Sequence, residues 1–210
     1  MNSKECTLCG SKADLFYSKS KIYNICRNCK GIHLESKFYL NHTNEKLRYE
    51  THNNDVEDPN YQNFVSPITS SILKDFHTHH IGLDFGAGTG PVISKVLQDN
   101  HYQIHQYDPF FHPNDELLNN SYDYIACCEV IEHFHNPNKE FQLLHKLLND
   151  NGKLYIMTDM YSPDLNFDKW YYKNDPTHVF FYQTQTIEHI AKSFNFSDFT
   201  IDNRLIVFSK

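Results

Sequence analysis

Six cysteines, fourteen histidines and a run of closely spaced glycines carry most of the chemistry this 210-residue chain could perform. Four cysteines fall as Cys6-x2-Cys9 and Cys26-x2-Cys29, with sixteen residues between the pairs, a separation that suits a four-thiolate zinc site. Gly10 after Cys9, and Lys30-Gly31 after Cys29, supply the backbone freedom of a tight metal-binding knuckle. Forty residues bury little apolar surface, so ligation would offset their ordering entropy. Four sulfurs leave no open position for a reacting water, which makes the expected Zn2+ structural. His33 could replace a sulfur but reads as a surface residue. Cys127 and Cys128 lie in the apolar run YDYIACCEV, where thiols behave as small buried hydrophobes.

The second constellation is Asp84-Phe85-Gly86-Ala87-Gly88-Thr89-Gly90, leaving an apolar stretch and entering a helical one. Glycines at alternate positions let the backbone bend sharply and approach a ligand closely, as nucleotide sites at the carboxyl end of a strand require. Asp108 closes the next strand, eighteen residues after Gly90, where a carboxylate can accept ribose hydroxyls. A dinucleotide fingerprint wants its third glycine at position 91; this chain has Pro91, which donates no N–H to a phosphate. A ligand without pyrophosphate fits better. The reading favours S-adenosylmethionine, with its methionine part over the glycines.

Methyl transfer from a sulfonium is an in-line displacement with a neutral leaving group, so the protein supplies alignment, dryness and, where needed, a base. His178, in the aromatic segment DPTHVFFY, is the first choice as base, because imidazole titrates near neutral pH. His133, beside Glu132 after the fourth strand of the expected parallel sheet, reads mainly as a brace for its loop and as a second candidate. Tyr161 and Asp159 follow the fifth strand, Asp159 as a possible strand-end cap. His52 could fold over the cofactor from a polar stretch. Trp170, Tyr171, Tyr172, Phe180, Phe181 and Tyr182 either wall a substrate pocket or complete the core.

These residues need a frame, and the hydrophobic pattern provides one. HIGLDF, YQIHQYD, YDYIACCEV and GKLYIMTD read as strands, and PVISKVLQDN and NKEFQLLHKLLND as helices between them. That alternation predicts βαβ units and a parallel sheet covered on both faces. A helix is expected over 61–77, broken near Pro67, then a late helix at TQTIEHIAKSF and final strands FTID and LIVFSK. Residues 41–60 are polar and Asn-rich, a linker or lid. With 40% hydrophobic and 15% aromatic residues the chain can build a packed core, which excludes wholesale disorder. The net charge of -7 opposes broad nucleic-acid binding. Residues 1–40 nevertheless hold seven Lys/Arg against three Asp/Glu, and the remainder twelve against twenty-three. No secretory or membrane-spanning apolar run appears, so a cytoplasmic protein is expected.

Residues 81–160 resemble the core of class I S-adenosylmethionine-dependent methyltransferases. YDYIACCEVIEHFHNP followed by LLNDNGKLYIMTDM is similar to the ubiquinone-biosynthesis-type branch. With the paired cysteines, Tyr49-x2-His52-Asn53-Asn54, YDPFF and WYYKNDPTHVFFY, nearly the whole chain resembles a bacterial subgroup bearing a zinc-ribbon-like module. The resemblance implies a Rossmann-like, seven-stranded, mostly parallel sheet with an antiparallel last strand. It divides the chain into a module at 1–40, a linker or lid at 41–60 and a methyltransferase domain at 61–210. It also implies a cofactor held by Asp84, Gly86, Ala87, Gly88 and Gly90, with Asp108, Pro109 and Phe110 around the nucleoside and Glu129 and Val130 flanking the methyl-bearing face. The short gap between Asp108 and Tyr122 leaves little room for a separate adenine-binding strand end.

The leading expectation is methyl transfer to a small-molecule acceptor at O, N or C. An RNA methyltransferase would hold its substrate with Lys4, Lys12, Lys19, Lys21, Arg27 and Lys30, against an acidic remainder. A cofactor sensor recruiting a protein partner is a third reading, and a dehydrogenase, which Pro91 opposes, the weakest.

Overall fold

The computed structural model describes residues 4–51 and 54–210. Four short strands open the chain: β1 (Lys4–Glu5), β2 (Lys12–Ser18), β3 (Ile22–Cys26) and β4 (Ile32–Leu34). Helices α1 (His42–Glu50) and α2 (Pro59–Asp75) follow, then β5 (Ile81–Phe85), α3 (Val92–Asp99) and β6 (Gln103–Tyr107). The chain continues through β7 (Tyr122–Cys128), α4 (Pro137–Leu147), β8 (Leu148–Met157), β9 (Phe180–Phe181), α5 (Thr184–Ser193), β10 (Asp198–Asp202) and β11 (Leu205–Ser209).

The larger sheet has the order β10-β11-β8-β7-β5-β6. β6, β5, β7 and β8 run parallel, β11 pairs antiparallel with β8, and β10 pairs antiparallel with β11. Alternation within β7 sorts its side chains between two layers. Tyr124 and Ala126 pack with Val65, Ile68 and Ile72 of α2 and Val92, Ile93 and Leu97 of α3. Ile125 and Cys127 pack with Phe141, Leu144 and Leu147 of α4 and Ile187 and Ile190 of α5. This is the Rossmann-like α/β arrangement the alternation predicts.

Two expectations change. The sheet has six strands among the described residues, not seven. Between Asp108 and Tyr122 the chain makes only a 3-10 turn, Asp115–Asn119, and β6 stays the edge. α2 also runs unbroken through Pro67. Pro59 and the Asp58 side chain, which accepts from the Asn60 N–H, start it well, and the buried Val65, Ile68 and Ile72 hold both sides of the proline to the sheet.

The smaller sheet runs β1-β2-β3-β4-β9, so its last strand comes from residues 180–181. Ile32 pairs with Phe181 and His33 with Phe180. Between β3 and β9, His33 is buried rather than at the surface, and its ring stacks on Phe180. Tyr23, Ile32 and Leu34 share an aromatic cluster with Tyr161, Phe167, Trp170, Tyr172 and Phe181. Segment 160–182 thus ties the two sheets together. Gly31 sits hard against it: a Cβ there would lie 2.3 Å from Cζ of Phe180, itself fully buried. Gly31→Ala is expected to overpack this joint and lower stability by about 1–3 kcal/mol. Calorimetric melting checks this, and an unchanged melting temperature would contradict the joint.

Candidate active site

In an open α/β sheet, ligands bind beyond the carboxyl ends of strands where the chain order reverses. Here β5 leads outward to β6 and the chain returns to place β7 on the other side of β5. A cavity of about 1190 Å³ opens at that point, larger than most single-ligand pockets. The turn after β5 and the loop after β7 touch at its floor. Gly86 has φ 81°, and a Cβ on it would come 2.5 Å from Cγ2 of Val130, so both backbone and space require glycine.

Gly86, Ala87, Gly88, Asp108, Pro109, Phe110, Glu129 and Val130 all line the cavity. Two members of the glycine motif face elsewhere. Asp84 is buried and accepts a 2.8 Å hydrogen bond from Ser94 Oγ on α3. At Gly90 a Cβ would strike the backbone of Asn54, so this glycine lets Asn54 pack directly on the turn. Asp108 is itself braced by backbone donors: Oδ1 accepts from the N–H groups of Phe110 and Phe111 at 2.8 and 3.0 Å, and Oδ2 from Gly88 at 3.0 Å. A carboxylate offers about four acceptor positions, so room for about one further donor remains.

α1 covers the cavity from within the segment expected to be a linker or lid. Asn41 caps it, and its last turn brings Tyr49 against both Phe110 and His133, with ring centroids 5.4 and 5.3 Å apart. Arg48 of the same turn pairs with Asp175 at 2.6 Å. His52 lies outside the described residues.

The far end of the cavity is polar. Glu132 is wholly buried, accepting from Thr158 Oγ1 at 3.0 Å and from the Tyr172 hydroxyl through a very short bond. Glu129, with φ 53°, accepts from Arg204 at 2.6 Å, and its Oε2 lies 3.2 Å from the Tyr172 hydroxyl, whose one proton goes to Glu132. Burial pushes the carboxyl of Glu132 up to about 7, and burial with the neighbouring Glu132 pushes Glu129 up to about 8. His133 and His178 face each other with ring centroids 4.8 Å apart. Their Nδ1 atoms lie 3.0 Å from the Thr177 carbonyl and 2.7 Å from the Tyr172 carbonyl. A carbonyl only accepts, so each Nδ1 carries the hydrogen and each Nε2 keeps its lone pair. Burial, reinforced by His133, lowers His178 to about 3, so both rings are neutral at ordinary pH.

Tyr161 does not reach this site. Its hydroxyl donates to the Leu165 carbonyl at 3.1 Å and its ring sits in the inter-sheet cluster. Of the late aromatics, Tyr171 and Tyr172 line the cavity, while Trp170, Phe180, Phe181 and Tyr182 are core. Asp159 accepts from Trp170 Nε1 at 3.3 Å. Arg204, Thr158, Arg48 and Asp175 complete the site: Thr158 and Asp175 fall inside the segments GKLYIMTD and DPTHVFFY without being singled out, and Arg48 and Arg204 lie outside every motif.

Away from the cavity, the four paired cysteines converge. Cys6 and Cys29 Sγ are 3.6 Å apart, Cys9 and Cys26 Sγ 3.4 Å, and all four sulfurs lie within 4.8 Å of one another. Sulfurs about 2.3 Å from one tetrahedral ion would sit at nearly those separations. Gly10 and Lys30 take left-handed φ of 69° and 60° at the two knuckles. Cys127 is fully buried as expected, whereas Cys128 is partly buried and lines the cavity; burial pushes both thiols well up.

Residues 23–200 match the family model described as a methyltransferase domain. The chain belongs to this family. No curated protein matches the sequence. Among solved structures, the Haemonchus contortus phosphoethanolamine N-methyltransferase 2 complex with phosphomonomethylethanolamine and S-adenosylhomocysteine aligns with TM-score 0.56 at 17% identity, over 75% of this chain and 43% of that one. Human N-acetylserotonin methyltransferase in complex with SAM aligns at 0.55 and 12%, over 79% and 56%. An O-methyltransferase family protein from Burkholderia thailandensis aligns at 0.52 and 11%, over 87% and 64%. This methyltransferase-domain chain thus spans about half the length of the structures it resembles, and the likeness is one of fold.

Burial raises Asp84 to about 6 from an ordinary 3.8. Between those values the folded chain keeps a proton that the unfolded chain has released, so this residue's contribution to stability falls as pH rises from about 4 to 6. The loss amounts to roughly 3 kcal/mol. Asp84→Asn, which still accepts from Ser94, is expected to flatten that part of the stability–pH curve. Denaturant melts of both proteins across the window check it, and parallel curves would contradict it.

Proposed function

We propose that the cavity binds S-adenosylmethionine and transfers its methyl group to a small-molecule acceptor held at the Glu132 end. The observation that carries this reading is the joining of the Gly86–Gly88 turn, the braced Asp108 and the Glu129–Val130 loop in one cavity of about 1190 Å³. The methionine part would lie over the turn. One ribose hydroxyl would donate to the remaining acceptor position of Asp108, and Phe110, packed by His42 and Tyr49, would flank the adenine. The sulfonium would face Glu129, and its positive charge would draw that raised carboxyl back toward the ionised form. Cofactors and acceptors named for the structural neighbours, phosphomonomethylethanolamine among them, agree with a small-molecule substrate.

The paired cysteines would hold a structural Zn2+ that supports the smaller sheet, and through β9 the segment carrying Tyr172 and His178. An RNA substrate has less support, because Lys4, Lys19 and Arg27 are paired with Glu35, Asp168 and Asp14.

Isothermal titration tests the cofactor. The chain is expected to bind S-adenosylmethionine and not NAD; heat with NAD alone would sink the reading. Asp108→Asn is expected to weaken S-adenosylmethionine about 10- to 100-fold, the loss of one charge-assisted hydrogen bond and its bracing. Unchanged affinity would remove Asp108 from the site.

A further inference from the structure

A general base requires one imidazole. The polar end of this cavity presents two, held alike: each Nδ1–H is spent on a backbone carbonyl, and each Nε2 lies 3.9 Å from the same atom, Oε1 of Glu132. The three donor atoms lie within 4.8 Å of one another, the two imidazoles lining the cavity and the Glu132 carboxyl buried directly behind them. Fixing a ligating imidazole through its far nitrogen, and a ligating carboxylate through further hydrogen bonds, is how proteins orient groups around a cation. Glu132 has both such supports, Tyr172 on Oε1 and Thr158 on Oε2.

We propose that Glu132, His133 and His178 form a divalent-cation site, and that the cation receives a hydroxyl oxygen of the methyl acceptor. Metal–ligand distances of about 2.0–2.2 Å place neighbouring donors roughly 3–3.5 Å apart, so the observed spacing closes with side-chain movements under about an ångström. Two neutral nitrogens and one carboxylate oxygen suit Mn2+, Fe2+, Co2+ or Zn2+ and leave coordination positions open toward the cavity. The charge agrees. Glu129 is matched by Arg204 at 2.6 Å, whereas no Lys or Arg is paired with Glu132 among the described residues, so the carboxyl facing the two imidazoles has no cation of its own. The site is separate from the four thiols, whose sulfurs are softer ligands on the other sheet.

The second half of the inference rests on the methyl-transfer reading. Bound to the cation, the acceptor hydroxyl releases its proton more readily, and water in the open cavity carries it away. Its oxygen then forms the bond to the methyl carbon as the carbon–sulfur bond breaks. That electron pair stays on sulfur, leaving neutral S-adenosylhomocysteine. The acceptor class is therefore a hydroxyl compound, with O-methylation as the outcome.

Electron paramagnetic resonance of the full chain, with its thiol site zinc-loaded, tests the site using Mn2+ as probe. The expected result is one bound Mn2+ per chain whose pulsed spectrum shows coupling to two imidazole nitrogens. His133→Ala and His178→Ala are each expected to weaken Mn2+ binding by at least about tenfold. If either variant fails to fold, the wild-type nitrogen coupling still decides. Mn2+ that stays free, or binds without nitrogen coupling, overturns the proposal. S-adenosylmethionine titrated into the same samples keeps the two readings apart: loss of cofactor binding with the nitrogen-coupled Mn2+ retained counts against the methyl-transfer reading and leaves the metal site standing.

Discussion

A carboxylate sealed from water is among the costliest groups a fold can hold, and Glu132 is such a group. It persists because three parts of the chain meet it. Thr158, beyond β8, and Tyr172, from segment 160–182, donate to its side chain, while its own backbone carbonyl accepts from the Val179 N–H at 2.9 Å. The last of these bonds sets the chain up for β9 immediately afterwards, and β9 completes the smaller sheet. The polar end of the cavity and the N-terminal sheet are consequently parts of one construction. Segment 160–182 cannot shift without both losing an edge strand and unsatisfying a buried carboxyl group.

The other wall of the cavity is built more lightly. α1 has one buried residue, Glu45, and meets the site through Tyr49 and the Arg48–Asp175 pair. An element held by a few side-chain contacts over a rigid floor belongs to the low-stability end of a structure, from which lids and binding loops are drawn. The floor is the opposite case. Gly86 against Val130, and Asp108 fixed by three backbone N–H groups, leave the cofactor end little freedom. A rigid floor at the glycine turn thus faces a lightly held cover.

Legibility in the sequence followed the range of the interactions. The alternation of strands and helices, the glycine turn and the cysteine spacing are local, and periodicity or spacing shows them directly. Pairings between distant segments left no such trace. Residues 180–181 read only as aromatics, yet become an edge strand of the N-terminal sheet, and that pairing buries His33. The seventh strand failed because the chain between Asp108 and Tyr122 makes a 3-10 turn in place of a strand. Polar residues 42–50 form a helix because Asn41 caps it, a signal that composition alone obscured. Glu132, His133 and His178 each carried a hint of function. Their convergence on one point depended on backbone carbonyls of Tyr172 and Thr177, whose direction no sequence pattern shows.

A crystal structure of the chain grown with S-adenosylhomocysteine tests the central claim most directly. The account predicts the amino-acid part of that molecule over Gly86–Gly88, a ribose hydroxyl on Asp108, and the sulfur turned toward the Glu132 end of the cavity. The compound bound elsewhere, or lying with its sulfur away from Glu132, would contradict it.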